Sequence, residues 1–344
     1  MSKIDVIVSH PGGRGWGQIE NLAILAATEL DAELHRHTAS SEYSRMHVAR
    51  TLVPPRRDAK SDRVAIVIAP QPAHLNAILA APHWRQQYRT VVGWVIDSFW
   101  TDRVPRVARS TSYYDHLFVM DPDDIEPWRT QIAATVSALP WGADVLGMPF
   151  SSERTMDLQR IGRQPDAWDD DNVTAAAAEA LGLTFAGRPP FGSNDEASAS
   201  LADGAAANAK FVLAFSNRAH QSSYTHPTRE YVTGRWLDAL AAGASVAGIA
   251  PRTAVADALF WPGACLEFPG VELHEGLAVV QDAVSAWTPG DARRNRRLAL
   301  ERLDWRHRLK ELAGRAELTT PRLDASLRKV AEEARVWAED DRAS

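Results

Sequence analysis

Two carboxylates stand eight positions apart in Glu230-Tyr-Val-Thr-Gly-Arg-Trp-Leu-Asp238, and the second opens the small-residue run Ala-Leu-Ala-Ala-Gly243. Thr233 is a good N-cap type, so a helix starting at Thr233-Gly234-Arg235 would present unpaired backbone N–H groups. Such a helix start attracts anions and suits a diphosphate. Asp238, about one and a half turns in, is then placed to accept hydrogen bonds from a ribose diol, as an acidic residue does in dinucleotide folds. Glu230 falls in the preceding loop, where a sugar hydroxyl could be held. The plain alternative is a solvated acidic pair near a helix start, where acids are favoured in any case.

Three other groups carry candidate chemistry. His10-Pro-Gly-Gly-Arg-Gly-Trp-Gly17 follows an apolar run, and Gly12, Gly13 and Arg14 could let backbone approach a ligand closely. The glycine spacing is not the dinucleotide fingerprint. A tight strand-to-helix turn explains it equally, and His10 either orients a substrate hydroxyl or is structural. Asp97 ends the buried-looking run Trp94-Val-Ile-Asp, at the carboxyl end of a strand where open α/β sheets bind ligands. It is a candidate general base for an acceptor hydroxyl, or a cap for the next turn. Ser216, Asn217 and Arg218 follow the run Phe211–Phe215, and Arg229 precedes Glu230. Of these, arginine matches a phosphate best, and a hydrated loop is the alternative. The histidines show no metal-ligand spacing stronger than His35-Arg-His37, so no metal is expected. The basic segment from Arg45 to Arg63 reads as a solvated loop, with an acceptor-side role as the alternative.

The elements that must position these groups alternate between short β-branched runs and longer helical-period segments, the pattern of parallel sheets covered by helices. Strands are expected at Ile4–Val8, Val64–Ile68, Val91–Ile96 and Leu117–Met120, with a helix from Gln18 to Leu30. Residues 145–158 lack periodicity and read as a linker. The alternation restarts with Leu158–Ile161, a helix over Asn172–Leu181, a short strand at Thr184–Ala186, then Phe211–Phe215, a helix from Thr233 to Ala242 and a strand at Ser245–Ile249. Residues 191–204 read as a surface loop. Gly243 is placed to end the helix. From Ala292 onward the chain reads as charged helix, with Trp337 as a candidate anchor on the first domain.

The 344 residues suffice for two domains, and 45% hydrophobic with 24% charged residues is ordinary globular composition. The formal net charge is −6. Neither half is basic, which removes electrostatic support for nucleic acid and leaves at most peripheral membrane association. No apolar stretch approaches the ~20 residues that span a bilayer, and no leader pattern is visible. The lone Cys265 is expected to pack inertly in a reducing, cytoplasmic compartment.

The Glu230–Gly243 segment resembles the Glu-x7-Glu region of retaining GT-B glycosyltransferases (group 1, family 4-like), with Asp238 in place of the second Glu. Arg235-Trp-Leu-Asp-Ala-Leu-Ala-Ala-Gly is similar to the spore-maturation-protein-like branch of these enzymes. Leu139-Pro-Trp-Gly-Ala-Asp144 resembles the close of their first domain, and Ile161-Gly-Arg163 the opening of their second. The resemblance implies an α/β GT-B fold: two Rossmann-like domains facing across a cleft, with a helical C-terminal extension. It implies an acceptor domain over 1–150, a nucleotide-sugar donor domain over 151–315, and a C-terminal helix over 316–344 crossing back to the first domain. The implied activity is metal-independent, retaining transfer of a hexose from a nucleotide-diphosphate sugar to an acceptor hydroxyl on a small molecule, glycan or natural product. The nucleotide sugar is the co-substrate and there is no cofactor. Gly162, Arg163, Ser216, Asn217, Arg218, Arg229, Thr233, Gly234, Arg235 and Asp238 are the implied donor contacts. Asp97, Glu230 and His10 are the catalytic candidates, and Gly12, Gly13 and Arg14 lie on the acceptor side. No Lys follows Gly162-Arg163, and the run Asp169–Asp171 would repel a diphosphate. Arg188, Lys210, Arg218 or Arg229 would then supply the charge. The rival reading is a non-catalytic GT-B-like binding or scaffold protein. An epimerase or phosphorylase of the same fold is a third.

Overall fold

The structure is a computed structural model that describes residues 4–10, 16–38, 61–80, 88–110, 113–219 and 225–343. The chain divides into two compact units, one of Met1–Pro140 with Arg306–Ser326, the other of Trp141–Trp305 with Leu327–Ser344. Each is Rossmann-like, a fully parallel sheet with flanking helices.

The first unit holds β1 (Ile4–His10), β2 (Glu33–Thr38), β3 (Arg63–Ala69), β4 (Tyr88–Val95), β5 (His116–Val119) and β6 (Thr135–Ala138). Their order is β2-β1-β3-β4-β5-β6. The central strands are nearly continuous apolar runs, as expected where both faces are covered. Ile7, Val67, Val95, Leu117 and Trp128 lie in one core cluster. The helix after β1 spans Gly17–Glu29. Two strands have no apolar signature: β2 reads Glu-Leu-His-Arg-His-Thr and β6 reads Thr-Val-Ser-Ala, and both lie at sheet edges.

The second unit holds β7 (Met156–Arg160), β8 (Phe185–Ala186), β9 (Ala209–Phe215), β10 (Ser245–Ile249) and β11 (Cys265–Glu267), in the order β11-β10-β9-β7-β8. Counted from each unit's first strand, both sheets run 2-1-3-4-5, with a sixth strand added in the first. In each, the strand order reverses beside the first strand. The crevice at that reversal lies between β1 and β3 in one unit and between β7 and β9 in the other, where open α/β sheets bind ligands at their carboxyl ends.

Two expectations are corrected. Residues 191–204 are not a loop: a helix spans Asp195–Asn208, started by Asn194, whose side chain accepts from the Ala197 N–H at 2.8 Å. Its Ala, Ser and Gly content hid it, because only a few small residues face inward. Residues 145–158 are not a loose linker either. Val145 is fully buried, the Leu146 N–H donates to the Asp304 carboxylate at 3.0 Å, and the buried Arg154 donates to the carbonyls of Ala206, Ala209 and Ala242. Trp337, on the Pro321–Ala343 helix, packs on Phe150 with ring centroids 4.8 Å apart, inside the second unit. No described helix is long and apolar enough to cross a membrane. The loop expected to hold Gly12, Gly13 and Arg14, and most of the Arg45–Arg63 segment, lie outside the described residues.

The helix that matters most spans Gly234–Ala241. Its end is a Schellman motif, with Gly243 N–H donating to Leu240 O and Ala244 N–H to Ala239 O. Gly243 has φ +85°, and a β-carbon there would lie 2.6 Å from the Arg154 guanidinium and 2.7 Å from the Phe150 ring. Gly243→Ala combines left-handed strain with a collision against a buried, multiply bonded arginine. A loss of about 2 kcal/mol or more is expected, read as a lowered urea midpoint with unchanged slope.

Candidate functional site

Beyond β7 the chain turns at Gly162, whose φ of +80° is left-handed. Three arginines converge on this turn. The Gly162 carbonyl accepts from Arg160 Nε at 3.2 Å and from Arg188 Nε and Nη2 at 3.2 and 2.9 Å. The Arg235 guanidinium lies over the glycine so closely that a β-carbon would sit 2.9–3.1 Å from it. Arg235 also donates from Nη1 to the Arg163 carbonyl at 2.9 Å. Residues far apart in sequence are thus gathered at the carboxyl edge of β7, next to β9.

The electrostatics of this nest are uneven. The buried Arg160 is paired with Asp169 and with Asp171, the latter at 2.7 Å. Two carboxylates of the acidic run are therefore held by a structural arginine, while Asp170 caps the helix that follows. Asp171 also accepts the Arg188 backbone N–H at 3.1 Å, fixing where that residue leaves the chain. The Arg188 and Arg235 guanidinium groups have no carboxylate partner among the described residues. Burial lowers the Arg235 pKa to about 10, with the charges of Arg163, Arg188 and Arg160 acting in the same direction. Burial also lowers Arg163, with Tyr231 opposing and Arg188 adding. A bound anion would relieve this strain.

The Gly234–Ala241 helix begins beside the nest. Thr233 is its N-cap with extended backbone, but its side chain makes no cap hydrogen bond. The N–H groups of Gly234 and Arg235 have no partner among the described residues, as helix starts leave them. A β-carbon at Gly234 would lie 3.1 Å from Trp141 Nε1 and 3.5 Å from Asp238 Oδ2, so indole and carboxyl flank the helix start. Asp238 Oδ1 is buried without a partner. Burial raises the Asp238 carboxyl well above the usual range, and the charge of Asp203 on the neighbouring helix adds to this.

Glu230 is not a free acid. It accepts from the Ser216 hydroxyl and, through Oε2, from the Arg252 N–H at 3.3 Å. The loop carrying it is thereby tied to the ends of β9 and β10. Asn217 donates to the carbonyls of His226 and Arg229 at 3.2 and 2.7 Å, while its Oδ1 is buried and unpartnered. Arg218 is exposed, its backbone N–H 3.3 Å from Ser216 Oγ. Lys210 is engaged elsewhere, 2.7 Å from Asp157. Ser216, Asn217, Arg229 and Glu230 thus form one bonded loop, and Gly162, Arg163 and Arg235 a second group.

In the first unit, the carboxyl edge gathers the titratable groups Asp97 and His74. Asp97 follows β4, its N–H donating to Pro70 O at 2.9 Å. Burial pushes its carboxyl up to about 7, against the opposing hydrogen bond of Gln71 and the charge of Arg103. The neighbouring Ser98 is fully buried, its hydroxyl 2.5 Å from Asp124 Oδ2, and its carbonyl accepts from Trp128 Nε1 at 2.8 Å. His10 ends β1 close to His74, whose Nδ1 is 3.1 Å from Ser9 Oγ. Burial lowers His74, with the Ser9 hydrogen bond opposing and His10 adding, so His74 stays neutral near pH 7. Sequence reasoning missed Arg160, Gln71, His74 and Arg103. Their shared signal is position, since each ends a strand or lies on the segment that follows one.

A carboxyl midpoint near 7 is directly observable. Carbon-13 NMR of aspartate carboxyls is expected to show one group titrating about three units above the ordinary value of ~3.9. That resonance should vanish in Asp97→Asn. Because the folded state holds this proton more tightly than the unfolded one, the Asp97 contribution to stability falls as pH rises from about 4 to about 7.

No family model matches the chain, and no curated protein does. Among solved structures it is similar to a mutant of S. aureus TarM in complex with fondaparinux, alpha-GlcNAc-glycerol and UDP, at 10% identity and a TM-score of 0.46. That match covers 75% of this chain and 56% of the other, so this chain spans little more than half of it. It is also similar to CalG4, the calicheamicin glycosyltransferase, at 15% identity and a TM-score of 0.40, over 92% of this chain and 100% of that one.

Proposed function

We propose that the protein is a GT-B-type glycosyltransferase whose second unit binds a nucleotide-diphosphate sugar and whose first unit binds the acceptor. The observation carrying this reading is the arginine nest at Gly162, set at the strand-order reversal of the second sheet beside a helix start with unpartnered amides. In the proposal the diphosphate lies against Arg188, Arg235 and the Gly234 and Arg235 N–H groups. Their fixed charges and dipoles stabilise the leaving diphosphate without a metal ion, at no reorganisation cost during the reaction. Arginine forks supply the charge that a Lys after Gly162-Arg163 would otherwise give. Glu230, held by Ser216 and the Arg252 N–H, faces a sugar hydroxyl. Asp238, its carboxyl pKa raised by burial, faces the ribose diol with its unpartnered Oδ1.

Asp97 is the proposed general base. A carboxyl poised near 7 both exists as the base and binds a proton usefully at neutral pH. The sequence resemblance implies retention, whereas a positioned base is a device of single displacement with inversion. The anomeric configuration of the product, read by proton NMR, decides between them. The non-catalytic alternative is carried by the same acidic run, of which Asp169 and Asp171 share one cation, Arg160; binding of no nucleotide would favour it.

Calorimetry against UDP-, GDP- and dTDP-sugars tests the donor site. One nucleotide class is expected to bind, and Arg235→Ala to weaken it about 10- to 100-fold, the worth of a charge-assisted hydrogen bond of roughly 1.5–3 kcal/mol. Absence of binding to every nucleotide sinks the proposal. With a productive acceptor, the rate should rise through a midpoint near pH 7, and Asp97→Asn should cost about 100-fold or more.

A further inference from the structure

At the amino end of the first sheet, opposite the edge just described, a second polar cluster surrounds the buried Asp5. Asp5 and Glu33 are directly paired across β1 and β2, and His35 is two residues on in β2. Side chains alternate along a strand, so all three share one face. One donor atom from each lies within 4.8 Å of the others. His35 Nε2 is 3.3 Å from Asp5 Oδ1 and 3.8 Å from Glu33 Oε1.

Bonds of about 2.0–2.1 Å to a tetrahedral ion set donor atoms about 3.3–3.4 Å apart; the His35–Asp5 pair is at that spacing, and the exposed Glu33 side chain would move in to reach it. The surroundings are arranged around Asp5 in particular. It is 1% exposed, yet only Oδ1 is turned to His35. Its Oδ2 accepts from Tyr88 OH at 2.6 Å and from Arg63 Nη1 at 3.2 Å. Supporting bonds to the second oxygen of a ligating carboxylate are the usual outer layer of a metal site. With neutral His35, the two carboxylates outweigh the single Arg63, so the site is net negative. Imidazole with carboxylates suits Zn2+ and its like, and the exposed Glu33 side leaves room for a water as fourth ligand.

We infer that Asp5, Glu33 and His35 form a structural site for a borderline divalent cation of the Zn2+ class, clamping edge strand β2 to β1. The ion takes the Nε2 lone pair of neutral His35, whose one ring proton is then carried on Nδ1. The site is distinct from the catalytic candidates, because Asp5 and His10 are separated by five strand residues, about 17 Å. It is also independent of the nucleotide-sugar proposal, and its test needs no activity.

The full chain, freed of metal, is titrated with Co2+ and followed by its visible ligand-field absorption, then competed with Zn2+. One equivalent with tetrahedral bands is expected, together with a Zn2+-dependent rise in Tm. His35→Ala should weaken Co2+ binding at least tenfold and abolish the Tm rise, while circular dichroism confirms its fold. Glu33→Gln, at an exposed position, serves as the second ligand variant and should do likewise. Tyr88→Phe should weaken binding about tenfold through its outer-layer role. No Co2+ binding by the parent, or less than a tenfold loss in His35→Ala and Glu33→Gln, overturns the inference and assigns any bound metal to other histidines.

Discussion

Like charges brought together must be held by something, and the second unit is built around doing so at Gly162. At about 4 Å and an effective dielectric near 20, two like charges repel by about 4 kcal/mol. Here Arg160, Arg188 and Arg235 meet at one residue. Two things make the gathering tolerable. The Gly162 and Arg163 carbonyls accept guanidinium hydrogens, and Asp169 and Asp171 discharge Arg160 alone. Arg188 and Arg235 are left with backbone carbonyls. Only glycine permits this arrangement, because its positive φ turns the chain and its missing β-carbon lets Arg235 lie on the backbone.

The neighbouring features follow from that constraint. Arg235 is the second residue of its helix, so the fixed guanidinium also fixes where the helix starts. The Schellman end at Gly243 and the bonds of Arg154 secure the other end. The helix is short and its amino end is held on one side by Trp141 and on the other by the nest. Ser216, Glu230 and Arg252 then tie the preceding loop to the ends of β9 and β10. A change at Gly162 would therefore be felt through Arg235 at the helix and through the helix at the loop.

The legible part of the fold was the part encoded locally. Apolar runs such as Val64–Ile68 and Phe211–Phe215 are buried parallel strands, and their signal survives without tertiary knowledge. The edge strands β2 and β6 lack it, because an edge strand needs no continuous apolar face. The Asp195–Asn208 helix was hidden because alanine packs without leaving an amphipathic stripe. In the site, the residues from Thr233 to Gly243 placed the helix start at Thr233 correctly, although the Thr233 side chain makes no cap hydrogen bond. What the spacing could not give was pairing. Whether Asp169 repels a ligand or neutralises Arg160 depends on a contact nine residues away, and the meeting of Arg188 with Gly162 spans twenty-six. The identity of the charged residues was readable, whereas their partners were not.

The two sheets share one strand order and therefore one kind of crevice, yet they fill it with opposite chemistry. At the reversal of the second sheet, guanidinium groups remain charged at any pH the protein meets. They can neutralise a leaving group but cannot exchange a proton with it. At the carboxyl edge of the first sheet, Asp97 and His74 are both moved by burial toward their neutral forms. Ser98, Asp124 and Trp128 lock the turn that carries Asp97, and there burial outweighs the opposing charge of Arg103. The glycosyl transfer proposed above would use both properties, a fixed positive field for the departing diphosphate and a mobile proton site for the incoming hydroxyl. One side chain cannot offer both, because the charge that steadies a diphosphate would also strip a base of its affinity for protons. In the proposed function, dividing the two tasks between the two sheets resolves that conflict.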